Sequence, residues 1–312
     1  MKAVQITRYG DAGVLAVNAD APRPALGEGK VLVEVRAASI NPVDTMIRLG
    51  YMAKMAPLSF PATLGTDIAG VVVEVGPGVS GFGKGDKVFG TASALAGASG
   101  AFAQYAAVPA GMLARFPDSV SFTEAAALPL TAVSALEVVD EKLKVGKGHK
   151  ILITGGAGGI GTIAIQLAKH RGAFVATTIL GEAVAYVKGL GADTVIDSQK
   201  EAFEKVLSGY DFVFDTVAGE TYKKAFEVLK RGGAIVSMLE QPNSELAAKY
   251  GATALPQMTQ VTTARLAAVA ELVKSGVIKP HVQRVFPVDN VKEAFLAREG
   301  GKVQGKVVLS FT

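Results

Sequence analysis

The sequence predicts an α/β protein in which a doubly wound parallel sheet is inserted into a β-rich domain. Three observations predict it. Residues 1 to about 120 carry short apolar runs broken by glycine and proline. From Lys150 onward, fully apolar runs alternate with amphipathic ones, the pattern of parallel strands covered by helices on both faces. After about residue 276 strand character returns, and the last run, Val307-Val308-Leu309, is followed by no helix, so it rejoins the first domain.

Taken in order, Met1–Ile6, Val31–Val35, Ile68–Val75 and Lys87–Phe89 read as strands. Gly76-Pro77-Gly78 and Gly85-Asp86 supply the turns between the later two. A helix opens near Thr123, with Ser121 or Thr123 as its N-cap, and Pro129 interrupts it. Strands follow at Ile151–Thr154, Phe174–Thr178, Thr194–Asp197, Phe212–Phe214 and Ala234–Ser237. Helices are expected at about 160–171, 182–189, 200–208, 219–230 and 263–275. Gln241–Gln260 reads as loops that shape a pocket. His281–Phe286 is a strand, Val291–Arg298 a helix, and Val307–Leu309 the final strand. This divides the chain into a nucleotide-binding domain, 125–262, inserted in a β-rich domain built from 1–124 plus 263–312.

Composition narrows the function. The 312 residues are 49% apolar and 19% charged, enough to build a core rather than a disordered chain. The absence of cysteine excludes disulfides, thiolate catalysis and cysteine-based metal sites. The three histidines, His149, His170 and His281, are far apart and lack partners at ligand spacing, so no metal is expected. A net charge of +4, with both signs interspersed, gives no nucleic-acid footprint. No apolar run is long enough to span a membrane and the first residues read as a strand, so a soluble cytoplasmic protein is the expectation.

The strongest motif is Ile151-Leu152-Ile153-Thr154-Gly155-Gly156-Ala157-Gly158-Gly159-Ile160-Gly161. An apolar strand runs into glycines spaced as GxGxxG (Gly156, Gly158, Gly161), and a helix follows. Gly156 permits the tight turn, Gly158 the approach of a pyrophosphate, and Gly161 close helix–sheet packing. The helix N-terminus then offers free N–H groups to the phosphates. About 20 residues on, where an acid would bind the ribose of NAD, Val175–Leu180 holds none, which favours NADP.

Together with this turn, a series of short segments is similar to the zinc-independent medium-chain dehydrogenase/reductase superfamily, in its quinone oxidoreductase (zeta-crystallin-like) and enone or alkenal reductase group. They are Ala37–Asp44, Leu64–Gly70, Val75–Val79, Gly85–Val88, Ala126–Ala132, Leu190–Asp193 and Gly305–Val308. The resemblance covers essentially the whole chain. It implies a GroES-like catalytic domain around a Rossmann domain, with a cleft between them. Zinc-dependent relatives carry Cys near Asn41–Asp44 and Gly-His-Glu where this chain has Gly65-Thr66-Asp67, so the resemblance implies chemistry without zinc.

Carried over residue by residue, the resemblance implies catalytic roles for Asn41, Asp44 and Tyr51. It implies cofactor contacts from Thr131, Gly156, Ala157, Gly158, Gly159, Ile160, Gly161, Thr177, Thr178, Thr216, Val217, Ser237, Met238, Leu239 and Lys306. Plainer readings stand beside these: a turn for Asn41-Pro42-Val43-Asp44, a surface ring for Tyr51, a helix cap for Thr131, an exposed strand position for Lys306. NADPH-preferring relatives place Ser and Arg just past the second strand, where this chain has Leu180 and Glu182, leaving Thr177, Thr178 and Lys188 to compensate and NADH as the alternative.

The expected reaction is NADPH-dependent transfer of a hydride to a quinone or to the activated C=C of an α,β-unsaturated carbonyl, with Tyr51 or water as proton donor. The alternatives are an acyl-thioester enoyl reductase, for which no compact basic cluster is evident, and a non-catalytic NADP(H)-binding sensor or structural protein. The expected partners are a small-molecule substrate and a second copy of the chain in a homodimer formed through the last sheet strands, with no nucleic acid and no membrane.

Overall fold

The computed structural model describes residues 1–301 and 303–311. The chain forms two compact units: Met1–Leu130 with Val261–Lys274 and Pro280–Thr312, and Thr131–Gln260 with Ser275–Lys279.

The first unit opens with β1 (Ala3–Ile6) and β2 (Ala16–Asn18), then β3 (Lys30–Ser39) and helix α1 (Pro42–Arg48). Next come β4 (Ala62–Thr63), β5 (Asp67–Val75), β6 (Lys87–Thr91), β7 (Tyr105–Pro109) and β8 (Leu113–Arg115). Helix α2 (Phe122–Ala126) is capped by Ser121, whose Oγ accepts the Glu124 N–H at 3.3 Å while the Glu124 carboxylate accepts the Ser121 N–H at 2.8 Å. It packs on β3 and β5. The helix expected from Thr123 thus stops at Ala126, and Pro129 opens a new one, α3 (Pro129–Leu136), because proline is favoured in a first helical turn and excluded from an interior. A π-helix, Glu137–Lys142, continues α3.

The second unit then runs β9 (Lys150–Ile153), α4 (Gly159–His170), β10 (Phe174–Ile179), α5 (Val184–Gly189), β11 (Thr194–Asp197), α6 (Phe203–Val206), β12 (Tyr210–Asp215), α7 (Gly219–Ala225), β13 (Leu229–Ser237), α8 (Ser244–Tyr250) and β14 (Thr253–Leu255). Its sheet has the order β11-β10-β9-β12-β13-β14, and every pairing is parallel. Leu152, Ala176, Val213, Ile235 and Phe226 are buried in its core. Two expectations change here. Gln241–Gln260 contains α8 and the sixth strand rather than loops alone; β14 is a three-residue edge strand with no apolar run to announce it. The helix expected to reach residue 230 ends at Ala225, a 3-10 turn follows over Phe226–Val228, and β13 starts at Leu229, because the mostly apolar segment Phe226 to Leu229 suits either element.

The chain returns to the first unit through α9 (Thr263–Lys274), β15 (Val282–Pro287), α10 (Val291–Glu299) and β16 (Lys306–Ser310). The main sheet there has the order β15-β16-β3-β5-β6-β8, with β7 also paired to β3. β16 lies antiparallel to β3, Val308 opposite Ser39, so the chain's last strand is welded to its third. Val33, Val35, Ile68, Val72, Phe102 and Phe295 share one core, with the Phe102 and Phe295 rings edge to face at 6.0 Å.

Candidate active site

In the second unit, the turn after β9 has the shape that a pyrophosphate requires. A Cβ on Gly161 would sit 2.3 Å from the Gly155 carbonyl oxygen, and one on Gly156 would sit 2.0 Å from Thr177 Oγ1. Neither position admits a side chain, so α4 starts flush against the turn. Gly158 is the N-cap of α4 and gives it no side-chain acceptor, which leaves the first-turn N–H groups for an anion. Ala157, Gly158, Gly159 and Ile160 are partly exposed, while Gly156 and Gly161 are buried. These residues fit a dinucleotide.

Of the other expected cofactor positions, Thr177, Thr178, Thr216, Val217 and Ser237 to Leu239 lie at or just past the carboxyl ends of neighbouring parallel strands, where such sheets bind ligands. Thr177 and Thr178 are buried, and their hydroxyls already have work. Thr177 Oγ1 donates to the Ile153 carbonyl at 2.7 Å, and Thr178 Oγ1 accepts the Gly155 N–H at 3.1 Å. They brace the glycine turn. Thr216 Oγ1 donates to the Thr154 carbonyl at 2.7 Å, and Val217 is half exposed beside it. Ser237 is buried, Met238 is half-buried and Leu239 is exposed. Thr131 is buried in α3. Beyond β10, Leu180 and Glu182 are exposed, and the Gly181 N–H donates to Asp197 Oδ1 at 3.2 Å, with Lys200 paired to the same carboxylate.

One residue central to this end of the sheet escaped the sequence reading. Asp215, fully buried at the end of β12, accepts the Thr154 hydroxyl at 2.7 Å and the Ser237 hydroxyl at 2.7 Å. It also accepts the Val217 N–H at 3.2 Å and the Ala218 N–H at 3.1 Å. It thereby ties the ends of β9, β12 and β13 together. The available signal was an acid closing an apolar strand just before Thr216-Val217. Ala218, next to it, is held at φ 71°, ψ −170°, a region that side chains disfavour.

The first unit assembles a second set. Asn41 and Asp44 are buried at the start of α1, where Asp44 Oδ2 accepts the Asn41 N–H at 2.7 Å. Thr66 Oγ1 donates to Asp44 Oδ1 at 2.5 Å. Asn41 Nδ2 donates to Asp67 Oδ2 at 2.8 Å, and the same oxygen accepts the Leu130 N–H at 3.2 Å. Lys306, buried on β16, donates to the Ile40 carbonyl at 2.9 Å and to Asn41 Oδ1. Sequence reasoning named Asn41, Asp44 and Lys306 but gave no role to Thr66 or Asp67. Tyr51 stands apart on the turn after α1, 72% exposed.

Burial dominates the electrostatics. It lifts Asp44 to about 7, with the Asp67 charge adding to the rise and Thr66, Asn41 and Lys306 opposing it. It lifts Asp67 to about 6 against Lys306 and the hydrogen bonds. It lowers Lys306 to about 8 against the attraction of both carboxylates. A small cavity of about 10 Å³, room for about one water, is lined by Asp44, Ile47, Leu58, Leu64, Ser93 and Leu95, among others. Among the described residues, no group of three or more histidines or carboxylates is placed to hold a metal ion.

Comparison with known proteins points one way. Residues 27–118 match the family model of the alcohol dehydrogenase GroES-like domain, and residues 190–309 match that of the zinc-binding dehydrogenase. The chain is 39% identical to a 2-methylene-furan-3-one reductase of Solanum lycopersicum, covering 99% of this chain and 79% of that one. It is 37% identical to an NADPH-dependent alkenal/one oxidoreductase, chloroplastic, of Arabidopsis thaliana, with the same coverage of 99% and 79%. The solved quinone oxidoreductase of Coxiella burnetii superposes with a TM-score of 0.92 at 32% identity, over 100% of this chain and 99% of that one.

Proposed function

The chain belongs to the medium-chain dehydrogenase/reductase superfamily, in its group of quinone oxidoreductases and enone or alkenal reductases, and from this we propose that it is an NADPH-dependent reductase of quinones or of the activated C=C of α,β-unsaturated carbonyls, working without a metal. The observation that carries the reading is the turn Gly155–Gly161, whose buried glycines leave no space for a Cβ and whose helix presents uncapped N–H groups.

Bound NADPH supplies the hydride. The chain's own residues bind, orient and exclude. Gly156 to Gly161 hold the pyrophosphate at the N-terminus of α4, where backbone N–H groups and the helix dipole act together. Thr216 and Val217 flank the ribose, Ser237, Met238 and Leu239 run beside the nicotinamide, and Thr131 adds a hydroxyl. Thr177 and Thr178 serve through the turn that they brace. The cavity at Asp44 holds about one water, and its mainly apolar lining from Ile47, Leu58, Leu64 and Leu95 has to open to admit the reacting end of a small unsaturated carbonyl compound or quinone. Tyr51 donates a hydrogen bond to the oxygen on which negative charge develops. Asn41 and Asp44 form the polar wall, and we assign Lys306 to this wall, through Asn41, in place of a contact with the nucleotide.

The same reading includes division into a nucleotide-binding domain and a GroES-like catalytic domain, a cytoplasmic location and a homodimer. What supports the dimer is β15, an edge strand of the main sheet with largely exposed side chains, available to pair with its copy. No helix of the described residues is long and apolar enough to cross a membrane.

Titration of the purified protein with NADPH and with NADH, followed by nucleotide fluorescence, tests the cofactor. Oxidation of the nucleotide is then followed against a panel of enones, alkenals and quinones. Tighter NADPH binding with turnover of at least one class supports the reading. Binding without turnover across the panel points to a sensor, and no binding of either nucleotide removes the reading.

A further inference from the structure

The turn after β9 accounts for the pyrophosphate, but NADPH carries a further anionic group, the 2′-phosphate of its adenosine ribose. In a doubly wound sheet that ribose lies at the carboxyl end of the strand after the glycine turn. Here the strand is β10, and the turn is bonded to it: the Gly156 N–H donates to the Thr178 carbonyl at 2.9 Å. The residues just past β10 offer a phosphate nothing. Leu180 is apolar, Glu182 is acidic, and the Gly181 N–H already donates to Asp197 Oδ1 at 3.2 Å. The hydroxyls of Thr177 and Thr178 are buried in the bonds that brace the turn. Lys188 lies in the last turn of α5, which carries the chain away from this rim to the amino end of β11.

The loops that leave the carboxyl ends of this sheet's strands are 154–158, 180–183, 198–202, 216–218, 238–243 and 256–260. Their charged residues are Glu182, Glu201, Glu240 and a single cation, Lys200. Lys200 stands beside β10. That strand runs parallel to β11 with Ile179 opposite Asp197, so the segments following the two strands are neighbours on the rim. The Lys200 N–H donates to the Asp197 carbonyl at 2.9 Å and the Gln199 N–H to Asp197 Oδ1 at 3.1 Å, which folds the chain back over Asp197. One Asp197 oxygen thus takes the Gly181 N–H while the other pairs with the Lys200 ammonium at 3.1 Å. The Asp197 side chain is 8% exposed and that of Lys200 80%. An ion pair so open to water is weak, and its ammonium can turn to a better partner.

We propose that Lys200 recognises the 2′-phosphate of NADPH, its ammonium turning from Asp197 to the phosphate, and that this contact makes the chain select NADPH over NADH. The proposal rests on the NADPH part of the reading above. Without Lys200 this rim presents Glu182, Asp197 and Glu201, and repels a phosphate. With it, the cation that most such sites take from the end of the second strand comes from the end of the third, as a point charge on a long stem.

The test is binding, read from nucleotide fluorescence in the wild type and in Lys200→Met. NADPH affinity falls by about tenfold or more in the variant, the loss of one charge-assisted contact, while NADH affinity stays within about twofold. Competition isolates the phosphate: 2′,5′-ADP displaces NADPH from the wild type better than 5′-AMP does, and loses that advantage in Lys200→Met. Asp197→Asn keeps an oxygen for the Gly181 and Gln199 N–H groups but releases Lys200, and tightens NADPH binding. Lys205→Met, at an exposed position on α6, makes the same change of charge and leaves both affinities in place. An unchanged preference in Lys200→Met overturns the proposal, as does an equal loss in Lys205→Met or a loss confined to NADPH in Asp197→Asn. These outcomes need no turnover, so they stand apart from the reductase reading. Binding of neither nucleotide by the wild type removes both.

Discussion

The Lys306 ammonium donates to the Asn41 carboxamide oxygen across 265 residues of sequence. The bond pins the last strand to the start of α1 in the fully buried interior, and it turns the Asn41 amide so that its nitrogen meets Asp67. An isolated lysine on a strand would be exposed. This one is buried because a carbonyl, a carboxamide and two nearby carboxylates together replace its water.

The same cluster gives stability a pH dependence with a definite sign. Asp44 and Asp67 have native pKa values near 7 and 6, above the ordinary 3.8. Between about pH 4 and 7 the native state therefore binds more protons than the unfolded chain. The stability that these groups contribute is complete below about pH 4 and is lost as the pH rises through 6 and 7. Lys306, lowered to about 8, works the other way: its contribution is complete above 10.5 and lost as the pH falls through 8. Urea midpoints for this cluster's part should thus fall from pH 5 to 7.5, by on the order of 1 kcal/mol per pH unit at most for each group. Asp67→Asn should flatten the dependence. Equal slopes in wild type and variant would refute the assignment.

Tyr51→Phe removes one hydroxyl from a side chain that is 72% exposed, so the melting temperature should stay within a degree or so of wild type. If the hydroxyl donates to the developing enolate oxygen, kcat with an enone should fall by about 10²-fold. Unchanged kcat with unchanged stability would return Tyr51 to the surface.

Asp215→Ala tests the tie at the sheet's carboxyl end. It strips acceptors from the Thr154 and Ser237 hydroxyls and from the Val217 and Ala218 N–H groups. Leaving such donors buried costs on the order of 3 kcal/mol or more in total, read as a drop in urea midpoint. NADPH affinity should fall as well, because the loop from Thr216 to Ala218 loses its anchor.

How much of this was legible beforehand follows from the range of the interactions. The glycine turn was readable because strand, glycines and helix are contiguous, and its chemistry is local. The alternation of apolar strands and helices gave the doubly wound unit for the same reason. Asp215 and Asp67 were not readable, since each is defined by partners from distant strands: Thr154 and Ser237 for one, Asn41 and Lys306 for the other. Lys306 showed the same limit, as its setting depends on β16 pairing with β3. β14 was missed because three partly exposed residues at a sheet edge carry no period.

The glycines of the turn should separate folding from binding. Gly161→Ala places a Cβ 2.3 Å from the Gly155 oxygen, a backbone atom that cannot move without opening the turn. It should lower stability by about 1–3 kcal/mol, as overpacking does. Gly158→Ala meets only that same oxygen, at 3.3 Å, and should fold with a nearly unchanged urea midpoint. Its new methyl group would project where the pyrophosphate approaches, so NADPH affinity should drop about tenfold or more, equivalent to about 1.4 kcal/mol. Loss of stability without loss of affinity in Gly158→Ala would reverse this division.

Ala218 should respond in the opposite sense, because here a side chain sits where glycine belongs. Its φ of 71° with ψ −170° costs an alanine on the order of 1–3 kcal/mol, and glycine adopts it freely. The strain persists because Asp215 grips the Ala218 N–H from one side and Gly219 N donates to Glu240 Oε1 at 2.9 Å on the other. Ala218→Gly removes the strain but adds freedom to the unfolded chain, an offset of up to about 1 kcal/mol. The net result should be a gain of about 1 kcal/mol in unfolding free energy, measured in urea without nucleotide. If the strained alanine also fixes the Thr216–Val217 edge for the ribose, the same variant should bind NADPH more weakly while it folds more stably. A variant that gains stability and keeps its affinity would mean that Asp215 alone orients the loop.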